Sequence, residues 1–375
     1  MSKDISLVLL GAGSSTRFGA PVKKQWLYSD ETPLWLHVAK QFEEISEFAD
    51  IIIVSTPDEI TLMKQFADYA YVVGGDTRQS SLTHALNAVT SDYVLVSDIA
   101  RCCIDREMVK RILSAREAAS CVVPALRAVD TLYLNGKPID REHARAVQTP
   151  QLSHTQTLKK ALDTVQEFTD DSSAVLAAGG KVVFVEGSNR AHKLTVPSDL
   201  DKLPCLLPPS MRTLTGFGID THAFEENKEM KLCGVTIDAG YGFKAHSDGD
   251  VAIHALIDAL LGAAGMGDIG ELYPDTDAAY EGIDSQKLLS DTVGKITSFG
   301  FAIGNVDMTV VAQTPRLKEY KERMRRNIAS LLGIKPHWVN IKATTSEKLG
   351  FIGRKEGVTV HAVANLNYFQ WQRLL

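Results

Sequence analysis

The sequence predicts an α/β protein folded as two domains. Three observations carry this. A chain of 375 residues exceeds what one hydrophobic core usually organises. Short β-branched runs alternate with helix-like stretches through the first half. A proline-rich break near residue 205 is followed by a fresh start of the pattern. With 45% hydrophobic and 23% charged residues, the composition is that of a packed globular protein rather than a disordered one.

Taken in order, the candidate strands are Ile5–Leu10, Asp50–Ser55, Tyr71–Val73, Tyr93–Ser97, Cys121–Pro124 and Lys181–Glu186. Their nearly unbroken apolar runs suit strands covered on both faces, so a mostly parallel sheet with crossover helices is expected. Leu-Pro-Cys-Leu-Leu-Pro-Pro-Ser over 203–210 cannot continue a helix or a central strand, because proline lacks the amide donor. Domains are therefore expected at 1–205 and 212–375, joined by a linker at 206–211 apolar enough to pack against a neighbour. In the second domain the pattern predicts a strand at Arg212–Ile219 and helices at Val251–Ala264, Ser285–Phe299 and Arg316–Leu332. Further strands follow at Asn305–Val311, Val339–Ala343 and Val358–Leu366, an α+β or α/β arrangement.

The formal charge of −6 argues against a nucleic-acid partner, which leaves a basic footprint. Five cysteines, an odd number with no Cys-x-x-Cys pair, predict neither a disulfide framework nor a zinc knuckle, and point to a reducing cytoplasm. The apolar stretch Ile5–Leu10 is too short for a signal peptide or a span, and no later run reaches the ~18 apolar residues a spanning helix needs. A cytoplasmic protein without a membrane partner is expected.

Gly11-Ala12-Gly13-Ser14-Ser15-Thr16-Arg17 follows the first strand, where backbone amides can approach a phosphate. A dinucleotide fold competes with this reading, although Thr16 replaces the third glycine and Val54-Ser55-Thr56-Pro57 lacks the ribose-binding acid. Arg17 and Lys24 lie just beyond the turn and suit a triphosphate that sheds pyrophosphate, since fixed cations stabilise the charge that builds there. Read alone, Lys23 and Lys24 serve equally as a solvated pair.

In the second domain Asp220 and His222, two apart on a strand, project to one side, and His254 follows on a helix. An Asp/His/His set with an open position is a catalytic zinc pattern. Asp258, one turn beyond His254, reads either as a carboxylate orienting that imidazole or as a solvated residue. Ser247 reads either as a donor to substrate or as a helix cap.

Over residues 1–205 the sequence resembles the 2-C-methyl-D-erythritol 4-phosphate cytidylyltransferases. The resemblance is carried by Gly11-Ala12-Gly13-x-x-x-Arg17 with Lys24-Gln25, Gly74-Gly75-Asp76-x-Arg78-x-Ser80-Ser81, Asp98-x-Ala100-Arg101, Thr149-Pro150-Gln151, Thr169-Asp170-Asp171 and Lys193-Leu194-Thr195. It implies a Rossmann-like nucleotidyltransferase domain. Arg17, Lys24 and Lys193, with the amides of Ala12 and Gly13, would surround the CTP phosphates and the attacking 4-phosphate. Asp98 would hold Mg²⁺, and Gly75, Asp76 and Ser81 would read cytosine and ribose. Arg101, Thr149 and Thr169 fall among the binding positions, and Arg141 matches the residue that grips methylerythritol phosphate across a dimer contact. Three departures stand out: Arg101-Cys102-Cys103 in place of Arg-Pro, Val22-Lys23 where a proline is common before Lys24, and His192 in place of Ile.

Residues 212–370 closely resemble the 2-C-methyl-D-erythritol 2,4-cyclodiphosphate synthases. The matching runs are Ala245-His246-Ser247-Asp248-Gly249-Asp250 through Ala264, Gly267-Asp268-Ile269-Gly270, Pro274-Asp275-Thr276-Asp277, and Ala343-Thr344-Thr345-Ser346-Glu347-Lys348-Leu349-Gly350-Phe351-x-Gly353-Arg354. The match implies Zn²⁺ on Asp220, His222 and His254, and Mg²⁺ or Mn²⁺ on Glu347. His246, Thr345 and Ser247 would stabilise the transition state. Ala312, Arg316, Leu317, Ala343 and Thr344 would form the cytosine pocket, with Phe351 and Arg354 among the binding residues. Asp268, Ile269, Gly270, Tyr273 and Asp275 would surround the methylerythritol moiety.

The resemblance further implies a trimer of synthase domains, a hexamer where transferase dimers join it, and a separate pathway kinase as a docking candidate. Two other readings remain open at this point: a dinucleotide-binding oxidoreductase fused to a zinc hydrolase, which predicts NAD⁺ binding, and a regulatory nucleotide-binding module with a structural metal.

Overall fold

The computed structural model describes residues 4–245, 247–274, 276, 277, 280 and 282–375. The chain divides into two compact units, one running to Pro208 and including Gln370–Leu375, the other Pro209–Phe369.

In the first unit β1 (Ile5–Leu10), β2 (Ile51–Ser55), β3 (Ala70–Val73) and β4 (Tyr93–Asp98) run parallel in the order β4-β1-β2-β3. The sheet continues through β5 (Cys121–Arg127), β6 (Arg145–Val147), β7 (Gln151–His154) and β8 (Val182–Glu186), giving eight strands. β7 inserts antiparallel between β4 and β5, β6 pairs antiparallel with β5, and β8 pairs parallel with it. All six predicted strands are present. β6 and β7 were not predicted, because β7 has one apolar side chain, Leu152, among four residues. Its Gln151 is buried yet satisfied, donating to Asp170 Oδ2 at 2.9 Å and accepting from the Ser172 amide at 2.9 Å. One core of this unit packs Val8, Val54 and Val96 of the sheet against Leu82, Leu158 and Val175 of covering helices.

The predicted linker packs on the first unit: Leu206 is buried, the Leu207 amide donates to Ser29 Oγ at 2.9 Å, and Pro208 O accepts from the Asp30 amide at 3.2 Å. The tail was expected with the second domain. Instead Trp371 is buried in the first unit and donates from its indole to Tyr28 O at 2.7 Å.

Cys103 and Cys205 form a disulfide across 102 residues, contrary to the expectation of unpaired thiols. A partner so distant leaves no spacing signal. Cys102, Cys121 and Cys233 are free and buried. From the length of the loop it closes, Cys205→Ser is expected to destabilise the first unit by about 2–5 kcal/mol. Denaturant titration followed by tryptophan fluorescence checks this; a transition identical to the parent's would refute it.

The second unit has a five-stranded sheet of β9 (Thr213–Glu226), β10 (Tyr241–Phe243), β11 (Phe301–Val311), β12 (Val339–Thr344) and β13 (Gly357–Tyr368), in the order β10-β9-β13-β11-β12. The helix over Val251–Ala264 falls where predicted, whereas the one expected from Arg316 begins at Lys321. Eleven of the 14 residues of Val251–Ala264 are buried, and the three that are not, His254, Asp258 and Gly262, recur every four residues on one stripe. The helix lies so close to β9 that a Cβ at Gly216 or Gly218 would come within 2.0 Å of the carbonyl oxygens of Ala259 and Ala255 respectively. These two glycines therefore set the depth at which His254 meets β9. Among the described residues, no helix is long and apolar enough to cross a membrane.

Candidate functional site

The first site forms where β1 and β4 end side by side, because the register pairs Leu10 with Asp98 and so sets the glycine-rich turn next to that carboxylate. A cavity of ≈ 610–630 Å³ is typical of both sites; here it is ≈ 630 Å³ and is lined by Ala12, Gly13, Arg17, Lys24, Gly75, Asp76, Ser81, Asp98 and Lys193, all named from sequence. Ser81 Oγ accepts from the Gly75 amide at 3.1 Å and holds that loop in place.

Charge is concentrated here. Burial lowers the Lys24 pKa, and the neighbouring Lys193 and Arg17 lower it further. Lys24 Nζ donates to Leu194 O at 3.2 Å. Burial by itself would raise the Asp98 pKa, but Arg78 and Lys193 outweigh it and hold the carboxyl at about 2. Lys193 Nζ lies 2.6 Å from Asp98 Oδ2 and Arg78 Nε 3.4 Å from Oδ1. Arg78 also reaches Asp171 Oδ1 at 2.7 Å. Arg78 belongs to the Gly74–Ser81 motif but has no role legible there, because its link to Asp171 crosses 93 residues and has no local signal.

Arg101 lines an adjoining recess with Lys193 and His192. It donates to Thr149 Oγ1 at 3.0 Å and Ala191 O at 2.6 Å, so Thr149 is tied to that wall. His192 Nε2 bonds Asp199 Oδ1 at 2.8 Å. Thr169 is exposed, one residue before the Asp170 cap of the helix Asp171–Ala177. Arg141 is not among the residues lining either cavity; it sits on an exposed segment and donates to Val129 O at 2.8 Å.

The second site gathers Asp220 and His222 from β9 with His254 from the helix above it. Asp220 Oδ2 lies 3.1 Å from His222 Nε2 and 3.2 Å from His254 Nδ1. Burial would raise the Asp220 pKa, but its bonds to the two imidazoles hold it well below the usual carboxylate range. The outer nitrogens are also held: His222 Nδ1 contacts Gly249 O at 3.2 Å, and His254 Nε2 contacts Ser285 Oγ at 2.9 Å. One carboxylate and two imidazoles, each anchored through its far nitrogen, fit a metal centre. Among the described residues only one other cluster has such ligand types, Cys102, Cys103 and Cys205, and two of its sulfurs are joined in the disulfide.

Ser247, Ile269, Gly270 and Tyr273 line the ≈ 610 Å³ cavity around this centre. The Tyr273 hydroxyl is fixed by Asp291 at 2.8 Å, and Asp268 caps the short helix Ile269–Leu272. His246 and Asp275 lie outside the described residues. Two alternatives are corrected. Asp258 neither orients His254 nor stands free in solvent; its Oδ1 accepts from the Ile269 amide at 2.8 Å and ties down the following loop. The cap of the helix Val251–Ala264 is Asp250, not Ser247, whose hydroxyl lies 3.3 Å from His254 Nε2. Ser285 and the Gly249 carbonyl, which anchor the imidazoles, were missed because both are generic in sequence.

The remaining predicted residues form a different surface. Asp220 pairs with Val360, Val360 with Val310, and Val310 with Ala343, so Ala343 lies three strand spacings, about 14 Å, from Asp220. Thr344, Thr345, Glu347, Phe351, Arg354 and Arg316 are exposed, Ala312 is half-buried and Leu317 is buried. The Ala312 amide donates to Thr344 O at 2.9 Å, and Thr345 Oγ1 to Glu347 Oε1 at 2.6 Å. Within one chain this surface is not part of the Asp220 cavity.

A cationic phosphate cleft and a separate Asp/His/His centre in one chain define a two-site enzyme of nucleotide phosphate chemistry. The family model for 2-C-methyl-D-erythritol 4-phosphate cytidylyltransferase matches residues 5–207, and that for the YgbB family matches residues 213–367. A bifunctional enzyme IspD/IspF of Sulfurovum sp. (strain NBC37-1) is 69% identical over 370 residues, covering 99% of each chain. One from Campylobacter curvus (strain 525.92) is 53% identical over 371 residues, covering 99% of this chain and 100% of the other. The solved bifunctional IspDF from Campylobacter jejuni superposes with a TM-score of 0.92 at 47% identity, covering 99% of this chain and 100% of that one. The chain belongs to the bifunctional IspD/IspF family. It is an enzyme of non-mevalonate isoprenoid precursor synthesis, transferring CMP from CTP to 2-C-methyl-D-erythritol 4-phosphate and forming 2-C-methyl-D-erythritol 2,4-cyclodiphosphate with release of CMP. The oxidoreductase and zinc hydrolase alternative is set aside.

Proposed function

We propose that Arg17, Lys24 and Lys193 receive the triphosphate of CTP, helped by the Ala12 and Gly13 amides. The observation that carries this is their convergence on one cleft, where burial and, after it, the neighbouring cations lower the Lys24 pKa, and a polyanion would relieve the repulsion. An oxygen of the 4-phosphate attacks the α-phosphorus of CTP, the α–β bridging bond breaks, and pyrophosphate departs. The three cations offset the charge that builds on the leaving group. Asp98 would hold Mg²⁺, whose charge would screen the phosphates from one another. Gly75, Asp76 and Ser81 read the nucleoside, while Arg101, Thr149 and Thr169 receive methylerythritol phosphate.

At the second site Asp220, His222 and His254 would hold Zn²⁺ and Glu347 would hold Mg²⁺ or Mn²⁺, and such ions would supply charge neutralisation for the diphosphate; an oxygen of the substrate's 2-phosphate attacks the β-phosphorus, the α–β bridging bond breaks, and CMP departs. His246, Ser247 and Thr345 supply hydrogen bonds to that transition state. Asp268, Ile269, Gly270, Tyr273 and Asp275 hold the methylerythritol carbons. Ala312, Arg316, Leu317, Ala343 and Thr344, with Phe351 and Arg354, receive the cytidine. About 14 Å between the two halves supports a site completed by a neighbouring subunit in a trimer. So do Phe217 and Ile219, 59% and 50% exposed on the β9 face turned away from the helix. A hexamer with transferase dimers, a cytoplasmic location and docking of the separate kinase complete the proposal.

Arg141, which does not line its own chain's cleft, acts across the transferase dimer. Arg141→Ala and Lys24→Met are each expected to lose pyrophosphate release, and mixing the two unfolded variants before refolding is expected to restore part of it. Absence of any recovery in verified mixed dimers would overturn the shared site.

A further inference from the structure

We propose that Glu59 is a positioning residue of the transferase site: its buried carboxylate holds the Lys23-Lys24-Gln25 turn, and through it the glycine-rich turn, in the geometry Lys24 needs at the triphosphate. The inference rests on the role given above to Lys24 and extends it to a residue that never touches substrate.

Glu59 stands in the first turn of the helix Pro57–Met63, and its side chain is 0% exposed. A carboxylate buried so completely is tolerated only where donors meet its lone pairs. Three side chains do so. Lys23 Nζ lies 2.7 Å from Oε1, Gln25 Nε2 donates to both oxygens at 3.0 and 3.3 Å, and Ser55 Oγ donates to Oε2. All but Glu59 itself and Ser55 come from the segment that carries Lys24.

The path continues into the phosphate turn. Gln25, itself buried, also donates to Gly13 O at 3.4 Å, and its Oε1 accepts from Ser15 Oγ at 3.3 Å. Ser15 Oγ in turn accepts from the Lys24 backbone amide at 3.1 Å. Carboxylate, amide, hydroxyl and main chain thus form one closed set of bonds around the two elements that meet the phosphates. Ser15 sits at φ 57, a conformation uncommon for a residue with a side chain, so the turn depends on contacts of this kind to stay populated. Nothing covalent in Val22-Lys23 fixes the approach to Lys24 as a proline ring would; the Lys23–Glu59 pair does so instead.

Glutamine at position 59 keeps the volume but turns one acceptor into a donor facing other donors, which frees Gln25 and lets Lys24 drift. A misplacement of about 1 Å costs up to about a hundredfold in rate. Glu59→Gln in the full-length protein is therefore expected to lower kcat for pyrophosphate release about tenfold to a hundredfold, with KM for methylerythritol phosphate within about twofold. CMP release at the other site is expected to be unaffected. Gln25→Ala cuts the same path at its next link and should give a similar kcat loss, with the double variant no worse than either single one.

Lys24→Met, run beside them, separates the two ideas. If Lys24→Met keeps full activity, the reading of Lys24 itself fails. If Lys24→Met is inactive while Glu59→Gln and Gln25→Ala keep the parent kcat, only the role of Glu59 fails. Should Glu59→Gln lose the near-ultraviolet signature of the buried Trp26 and Trp35, Gln25→Ala decides: a kcat loss in a folded variant supports the path, and a parental kcat overturns it.

Discussion

Asp220→Asn is expected to abolish CMP release, by on the order of 10³-fold or more, and to strip the metal from the second site. The carboxylate is the group on which both imidazoles converge, at 3.1 and 3.2 Å, and asparagine keeps its size while removing its charge. The two imidazoles remain anchored by Gly249 O and Ser285, so the loss falls on the ligand set rather than on their orientation. Metal content by mass spectrometry and CMP release by chromatography, measured on the same sample, provide the check. Pyrophosphate release at the other site serves as an internal standard for active protein. CMP release that survives complete loss of zinc would exclude the assigned metal role.

Asp98→Asn is expected to reduce pyrophosphate release by about 10²- to 10³-fold and to destabilise the first unit by about 1–2 kcal/mol, between the scales of exposed and buried pairs. The second effect arises because the buried Asp98 carboxylate pairs with both Arg78 and Lys193, and removing its charge leaves those two partly exposed cations without it. Arg78 keeps Asp171 as a partner, which limits the cost, whereas Lys193 loses the carboxylate it is paired with. Activity at saturating Mg²⁺ and a denaturant titration of the same variant separate the two effects. A variant that is destabilised but turns over at the parental rate would leave Asp98 a purely structural role.

How far the sequence could be read depended on how local each signal was. The parallel strands of the first unit and the helix over Val251–Ala264 are recorded in runs of adjacent apolar residues, and they appear where the pattern predicts. β7 could not be read that way, since its Gln151 is buried through bonds to Asp170 and Ser172, about 20 residues on. The same holds in the sites. Asp220, His222 and His254 have a recognisable spacing, and the glycine-rich turn follows a strand. Arg78 to Asp171, His254 to Ser285 and Gln25 to Glu59 are pairings between ordinary residues far apart in the chain, which only the fold brings together. Asp258 shows the converse: its helical spacing from His254 suggested a partner, and tertiary contact gave it another.

The return of Gln370–Leu375 to the first unit has a consequence for biogenesis. The indole of Trp371 emerges from the ribosome only after Pro209–Phe369 has been made, so the amino-terminal half waits for its final piece until the carboxy-terminal half is already synthesised. The backbone accordingly passes between the two units twice, at 208–209 and again at 369–370. A single proteolytic nick at the proline-rich junction yields two polypeptides, and the docked tail Gln370–Leu375 then holds them together through non-covalent contacts alone.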